Sequence, residues 1–178
     1  MNGPTLTTER LILRPFVAED FAPFVEMMAH ERTGFIGGPM TPPVAWRAFA
    51  AIAGAWSIEG ISMFSVIERD TGRWMGRVGP WRPLGWPGNE VGWGLIEAAE
   101  GRGYATEAAT ASMDWAFDHL GWDDIIHTIG PTNLPSQAVA RRLGAENRGP
   151  GRLPAPLDGW DVEVWGQTKA AWRARRRS

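Results

Sequence analysis

The sequence predicts one mixed α/β domain, and three observations carry that reading. About six short runs have the patterning of strands. About four longer stretches place apolar residues at helical spacing. From residue 89 onward the pieces alternate as strand, glycine turn, helix, strand, helix, strand. A length of 178 residues suits a single core, and no repeat or low-complexity linker divides it, so one domain over 1–178 is expected.

The elements follow in order. "RLILRPF" (10–16) alternates as a strand, with Pro15 putting its end near an edge. Phe21, Phe24, Val25 and Met28 mark a helix over 19–30. Pro42 and Pro43 open a second helix that runs to Trp56. "SMFSVIER" (62–69) and "RWMGRVGPW" (73–81) form a hairpin about the turn "DTG". "NEVGWGLIE" (89–97) is the next strand. A long helical stripe runs from Ala105 to Leu120 and stops at Gly121. "DIIHTIG" (124–130) is a strand, and 133–144 a short helix with Pro135 in its first turn and Gly144 at its end. A Gly/Pro-rich loop covers 149–159, and "WDVEVWGQT" (160–168) is the last strand. The basic end "RARRRS" reads as a frayed, solvated tail.

Composition excludes several classes. There is no cysteine, hence no disulfide, thiolate metal site or cysteine nucleophile, and a cytoplasmic home is the default. No two histidines have metal-ligand spacing, so no metal is expected. No apolar run of about 18 residues predicts a membrane span, and the first residues lack the pattern of a secretory signal. A net charge of −2 argues against a general nucleic-acid binder.

The stretch "AAEGRGYATEAA" (98–109) poses the functional question. Two glycines bracket an arginine where a helix is about to start. A plain tight turn explains them, and so does close approach of a phosphate to a helix N-terminus. A P-loop fails, because Tyr104 and Ala105 follow Gly103 in place of Lys-Ser. The dinucleotide fingerprint fails at its third glycine, which is Thr106.

The order strand "EVGWGLIE", turn "EGRGYATEA", helix, strand "IIHTIG", then "NLPSQAVARRLGA" resembles the GNAT superfamily of acyl-CoA N-acyltransferases. Within it the chain is most similar to the branch that acetylates ribosomal-protein N-termini, including its first strand in "TERLILRPF" and its last in "DVEVWGQTKAAW". The resemblance spans 8–172 and implies a mixed, mostly antiparallel sheet of about six to seven strands flanked by about four helices. It implies that the backbone of Gly101, Arg102, Gly103, Tyr104, Ala105 and Thr106 cradles the acetyl-CoA diphosphate, with Glu100 departing from the family pattern. It further implies that Leu95, Ile96 and Glu97 pair with the pantetheine arm, and that Asn133 holds a pantetheine amide or a water, against a plain N-cap or turn asparagine.

Direct acyl transfer needs a base for the ammonium, a donor for the oxyanion and a proton for the leaving thiolate. By resemblance Glu90 is the base, against a plain strand-end carboxylate. Ser136 protonates the thiolate, against a first-turn serine that merely caps its helix. A main-chain donor near Leu95 polarises the thioester. His127 either faces the acceptor or is a satisfied core histidine. Arg102 is a better phosphate contact than Arg141 or Arg142, which suit a solvated helix face. Trp74, Trp81, Trp86 and Trp93 could wall an acceptor site, pack a core or serve a homodimer contact. The expected activity is acetyl transfer to a primary amine, either a protein N-terminus or a small amine such as an antibiotic, polyamine or amino acid. A non-catalytic acyl-CoA-binding module is the alternative.

Overall fold

The computed structural model describes residues 3–177. Its centre is an eight-stranded sheet in the order β1-β2-β3-β4-β5-β6-β8-β7. The strands are β1 (Leu6–Thr7), β2 (Leu11–Arg14), β3 (Phe64–Glu68), β4 (Trp74–Trp81), β5 (Glu90–Leu95), β6 (Asp124–Ile129), β7 (Glu146–Gly151) and β8 (Val162–Thr168). The α-helices are α1 (Phe21–Met28), α2 (Pro42–Ile58), α3 (Tyr104–His119), α4 (Leu134–Leu143) and α5 (Lys169–Arg175). The sheet is mixed and mostly antiparallel, as expected, because β5 and β6 make its one parallel pair. The described residues hold no helix long and apolar enough to cross a membrane.

Burial follows the sequence stripes. In α3, Ala108, Ala109, Met113, Ala116 and Phe117 are fully buried on one side, where the helix packs over β4 and β5. The alanines bring its backbone close to the sheet. Phe24, Met27 and Met28 of α1 and Ile52 of α2 pack with Met63 and Trp74 in a second cluster on the other face. The sheet is therefore covered on both sides.

Three expectations are corrected. The 149–159 loop begins too early, because residues up to Gly151 belong to β7. Pro150 is tolerated there because β7 is an edge strand, paired only with β8 and broken in register between Asn147 and Pro150. The sheet has eight strands rather than six to seven, gaining β7 and the two-residue β1, which lies outside β2 and leaves the end of 10–16 near the edge as expected. The basic tail is not frayed through Arg175: Lys169–Arg175 is helical, with Trp172 2% exposed and its Nε1 donating to Asp114 at 2.8 Å. Arg173 and Arg176 ion-pair with aspartates of α3. Of that tail only Ser178 lies outside the described residues.

Candidate active site

The parallel strands β5 and β6 pair at a single register position, Glu90 with Ile126. Their antiparallel neighbours stay in register over whole strands. Beyond Glu90 the two strands therefore part. Hydrogen-bond alternation decides which groups face the gap. Ile96 N–H donates to Met75 O of β4, so the even residues of β5 bond to β4 and the odd ones point away. Val91, Trp93 and Leu95 thus turn their main chain toward β6. The Val91 carbonyl is filled by His127 Nδ1 at 2.7 Å, and the Leu95 carbonyl accepts from Arg32 Nη1 at 3.0 Å.

Of the three residues expected along a pantetheine arm, Leu95 alone borders this gap. Ile96 is committed to Met75 through its N–H and to Ala99 through its carbonyl. Glu97 is exposed at the start of a 3-10 turn, Glu97–Ala99, and its carbonyl accepts from Glu100 N–H.

Glu90 sits at the closed end of the gap. It is 6% exposed. Thr128 donates to its carboxyl from the main chain at 3.2 Å and from Oγ1 at 3.1 and 2.9 Å, and Trp86 Nε1 donates to Oε2. Burial nevertheless dominates and pushes the Glu90 carboxyl up to about 7, with Trp86, Thr128 and the Arg77 charge opposing. A carboxyl that titrates near neutrality inside a cleft suits proton transfer.

His127 is 1% exposed, packs against Trp93 with ring centroids 4.8 Å apart, and lines the same cleft. Desolvation pushes it down to about 4. Since a carbonyl only accepts, Nδ1 carries the hydrogen that meets Val91, which leaves Nε2 as a buried acceptor without a partner. The ring is packed like a core histidine but is not a satisfied one, because Nε2 is left unpartnered, and it also walls the cleft.

Asn133 is the N-cap of α4, and its Oδ1 accepts from Ser136 N–H at 3.2 Å. Ser136 Oγ accepts from Trp93 Nε1 at 3.2 Å, so its own hydroxyl hydrogen remains free to donate. Both residues line the cleft.

The glycine turn stands beside the open end. Gly101 and Gly103 have φ of +69° and +79°, a region that disfavours any residue with a Cβ. A Cβ on Gly101 would meet nothing within 4 Å. Gly103 is the N-cap of α3 and has no side chain to satisfy the N–H groups of the first turn. The turn is held from outside. Arg102 pairs with Glu68 at 2.7 Å, Tyr104 Oη donates to Glu68 at 2.6 Å, and Thr71 Oγ1 donates to it at 2.6 Å. Those bonds, led by Thr71 and Tyr104, hold the Glu68 carboxyl down at about 2. The Arg102 and Tyr104 side chains are thus spent on Glu68, and the backbone is what the turn offers outward. Glu100 pairs with Arg32, away from the turn.

The cleft continues into a cavity of about 890 Å³ between the sheet and the α1–α2 side. Trp81, Trp86 and Trp93 line it, whereas Trp74 belongs to the core, with its Nε1 on Ser65. Sequence reasoning missed Thr128, Arg32 and Arg77. Thr128 and Arg32 carry no local signal. Arg77 has one: a lone charge inside a strand that is otherwise apolar or glycine.

Residues 10–146 match the model of the acetyltransferase (GNAT) domain. The uncharacterized N-acetyltransferase YnaD of Bacillus subtilis is 26% identical over 170 residues, covering 94% of this chain and 98% of that protein. The crystal structure of an acetyltransferase from Agrobacterium tumefaciens shares 36% identity, with a TM-score of 0.82 over 93% of this chain and 95% of that one. A ribosomal-protein-S5-alanine acetyltransferase from Vibrio fischeri shares the fold, with a TM-score of 0.73 at 18% identity over 95% of this chain and 98% of that one.

Proposed function

Because the chain belongs to the GNAT acetyltransferase family, we propose that it transfers an acetyl group from acetyl-CoA to a primary amine by direct attack. The observation that carries the proposal is the parting of β5 from β6 with Glu90 at the closed end and the glycine turn beside the open end. The residues present fit the donor. The backbone of residues 101–106 offers unfilled N–H groups and the positive end of α3 to the diphosphate. The N–H of Leu95 faces the gap for the pantetheine arm, and Asn133 stands across it. Acetyl-CoA supplies the acetyl group activated as a thioester.

Within the cleft, Glu90 accepts a proton from the ammonium, directly or through water. The nitrogen forms its bond to the acetyl carbon as the carbon–sulfur bond breaks. Ser136 Oγ–H donates toward the departing sulfur, and Trp93 fixes its orientation. No covalent enzyme intermediate is needed. The reading keeps the chain in the cytoplasm, in line with its lack of cysteine.

Calorimetric titration of acetyl-CoA, with NAD and ATP as controls, tests the donor assignment. Micromolar binding of acetyl-CoA alone, about −8 kcal/mol, is expected. A folded protein that binds none of them overturns it. Turnover on a panel of amines then separates an enzyme from a binding module.

A further inference from the structure

The cavity beside Glu90 is lined by apolar groups with few charges: Arg77 is its one cation, and Glu90 and Asp161 are its acids, among the described residues. Arg77 reaches it from the middle of β4 with poor company. Its Nη1 lies 2.6 Å from the Met63 sulfur, its Nη2 is 3.4 Å from the Ile36 carbonyl, and its Nε has no partner. No carboxylate of the described residues pairs with it at ion-pair distance, whereas Arg10, Arg32, Arg102, Arg173 and Arg176 each have one. A guanidinium has five donors in a fixed fork that matches a carboxylate, and leaving them unmet in an apolar wall is costly.

Arg77 and Glu90 border the same face of β5. A Cβ on Gly92 would stand 3.5 Å from Glu90 Oε1, and one on Gly94 would stand 3.9 Å from Arg77 Nε. Those two positions are one same-face step apart, about 6.6 Å along a strand. The two charged groups are therefore neighbours across one step of the sheet. Met63 and Ile36 cover the glycines between them, and Trp81 and Trp86 stand further along the wall.

We infer that the acceptor is an apolar amino carboxylate: its amine goes to Glu90 and its carboxylate, a few bonds away, to Arg77. The inference rests on the acetyltransferase reading and narrows it to one class of acceptor. The carboxylate completes the Arg77 fork, and the apolar body of the acceptor meets the aromatic and methionine wall. A free amino acid and a short peptide with its C-terminal carboxylate share this chemistry.

The test is calorimetric titration of phenylalanine, tryptophan and methionine against their amides, with phenylalanyl-glycine as the peptide arm. It is run with and without saturating coenzyme A at about pH 7.5, where Glu90 is mostly ionised, and each affinity is corrected for the ammonium fraction of that amine. The carboxylates are expected to bind at least about tenfold tighter than the amides, a difference of ~1.4 kcal/mol. Phenylalanyl-glycine binding tighter than phenylalanine assigns the carboxylate to a peptide, and the reverse to a free amino acid. Arg77→Gln is expected to erase the preference, acids and amides then binding equally. Equal affinities for acids and amides, no measurable binding of any acid, or a preference that survives in Arg77→Gln overturns the inference. The acid–amide comparison uses the unaltered protein, so it stands even where Arg77→Gln fails to fold. Titration of coenzyme A on the same sample reads the donor assignment separately: its failure sinks the acetyltransferase reading, while the acid–amide difference still reports on Arg77.

Discussion

Trp93 Nε1 donates to Ser136 Oγ across 3.2 Å, joining a strand of the cleft to the first turn of α4. The bond spends a lone pair of the serine oxygen and leaves its hydrogen to donate. Because Asn133 Oδ1 also holds Ser136 N–H, the serine is fixed at both ends. Under the proposed mechanism Trp93 is a positioning residue. Ser136→Ala is expected to lower kcat about tenfold, and Trp93→Phe by a similar or smaller factor with the KM for acetyl-CoA nearly unchanged. The double variant should be no worse than Ser136→Ala alone, because both changes remove one interaction. Additive losses in a full cycle of the four proteins would break the link.

Glu90 titrates near 7 in the folded chain, above its ordinary value of 4.5. A base must be ionised, so kcat/KM is expected to rise with pH and level off above about 7. Glu90→Gln should lose that limb and fall by about 10²–10³ in rate. Stability moves the other way. Between its unfolded and folded values the native state holds more protons, so this group favours folding less as pH rises from about 4.5 to 7. Relative to wild type, Glu90→Gln should therefore gain stability between pH 5 and pH 8, by on the order of 2 kcal/mol. Denaturant melts at the two pH values check this. An unchanged pH–rate profile in the variant removes Glu90 as the base.

These predictions separate what a sequence can carry from what only packing supplies. Val91, Trp93 and Leu95 alternate in the sequence, and Gly121 and Gly144 end α3 and α4 with φ of +66° and +91°. Such signals are local, so the elements could be read with their order. Glu90, Ser136 and Asn133 were legible through the family resemblance rather than through spacing alone, and the fold brings all three to one cleft. Thr128 was not, because its bond to Glu90 exists only after β6 lies beside β5. Arg32 likewise meets Leu95 from 63 residues away. The strand β7 was hidden because "ENRGPG" has turn composition and gains its strand only by pairing with β8.

The glycine turn can be tested against a matched control. Gly101 and Gly60 have φ of +69° and +71°, and a Cβ on either would meet nothing within 4 Å. Alanine at either site carries the same backbone strain, about 1–2 kcal/mol. Only at Gly101 would the methyl stand where the proposed diphosphate approaches the backbone. Gly101→Ala is expected to weaken acetyl-CoA binding about tenfold or more, and Gly60→Ala to leave it unchanged, with equal drops in thermal midpoint. Equal affinities in the two variants would mean that Gly101 serves the turn alone. Glu68→Gln adds a second arm: it loosens the Arg102–Tyr104 clasp and should raise the Kd about fivefold.

The C-terminal helix gives the last prediction, and it is about the fold rather than the site. Trp172 is 2% exposed, lies beside Phe117 with ring centroids 6.5 Å apart, and donates to Asp114. Lys169 Nζ donates to the Phe117 carbonyl near the end of α3, and Arg173 and Arg176 pair with Asp114 and Asp118. The exposed ion pairs contribute little individually. The indole carries most of the anchor, through burial of a large apolar surface and one charge-assisted hydrogen bond. Trp172→Ala is expected to cost about 3–5 kcal/mol in denaturant unfolding. Removing both charges in Arg173→Ala/Arg176→Ala should cost under about 1.5 kcal/mol, most of it lost in high salt. The same α3 carries the glycine turn at its other end, 16 residues long from Tyr104 to His119. A rigid helix fixed at its C-terminal end by α5 keeps its N-terminus aligned with the cleft. The Trp172 variant should accordingly show weaker acetyl-CoA binding at temperatures where it is still folded, whereas the double arginine variant should bind as wild type does.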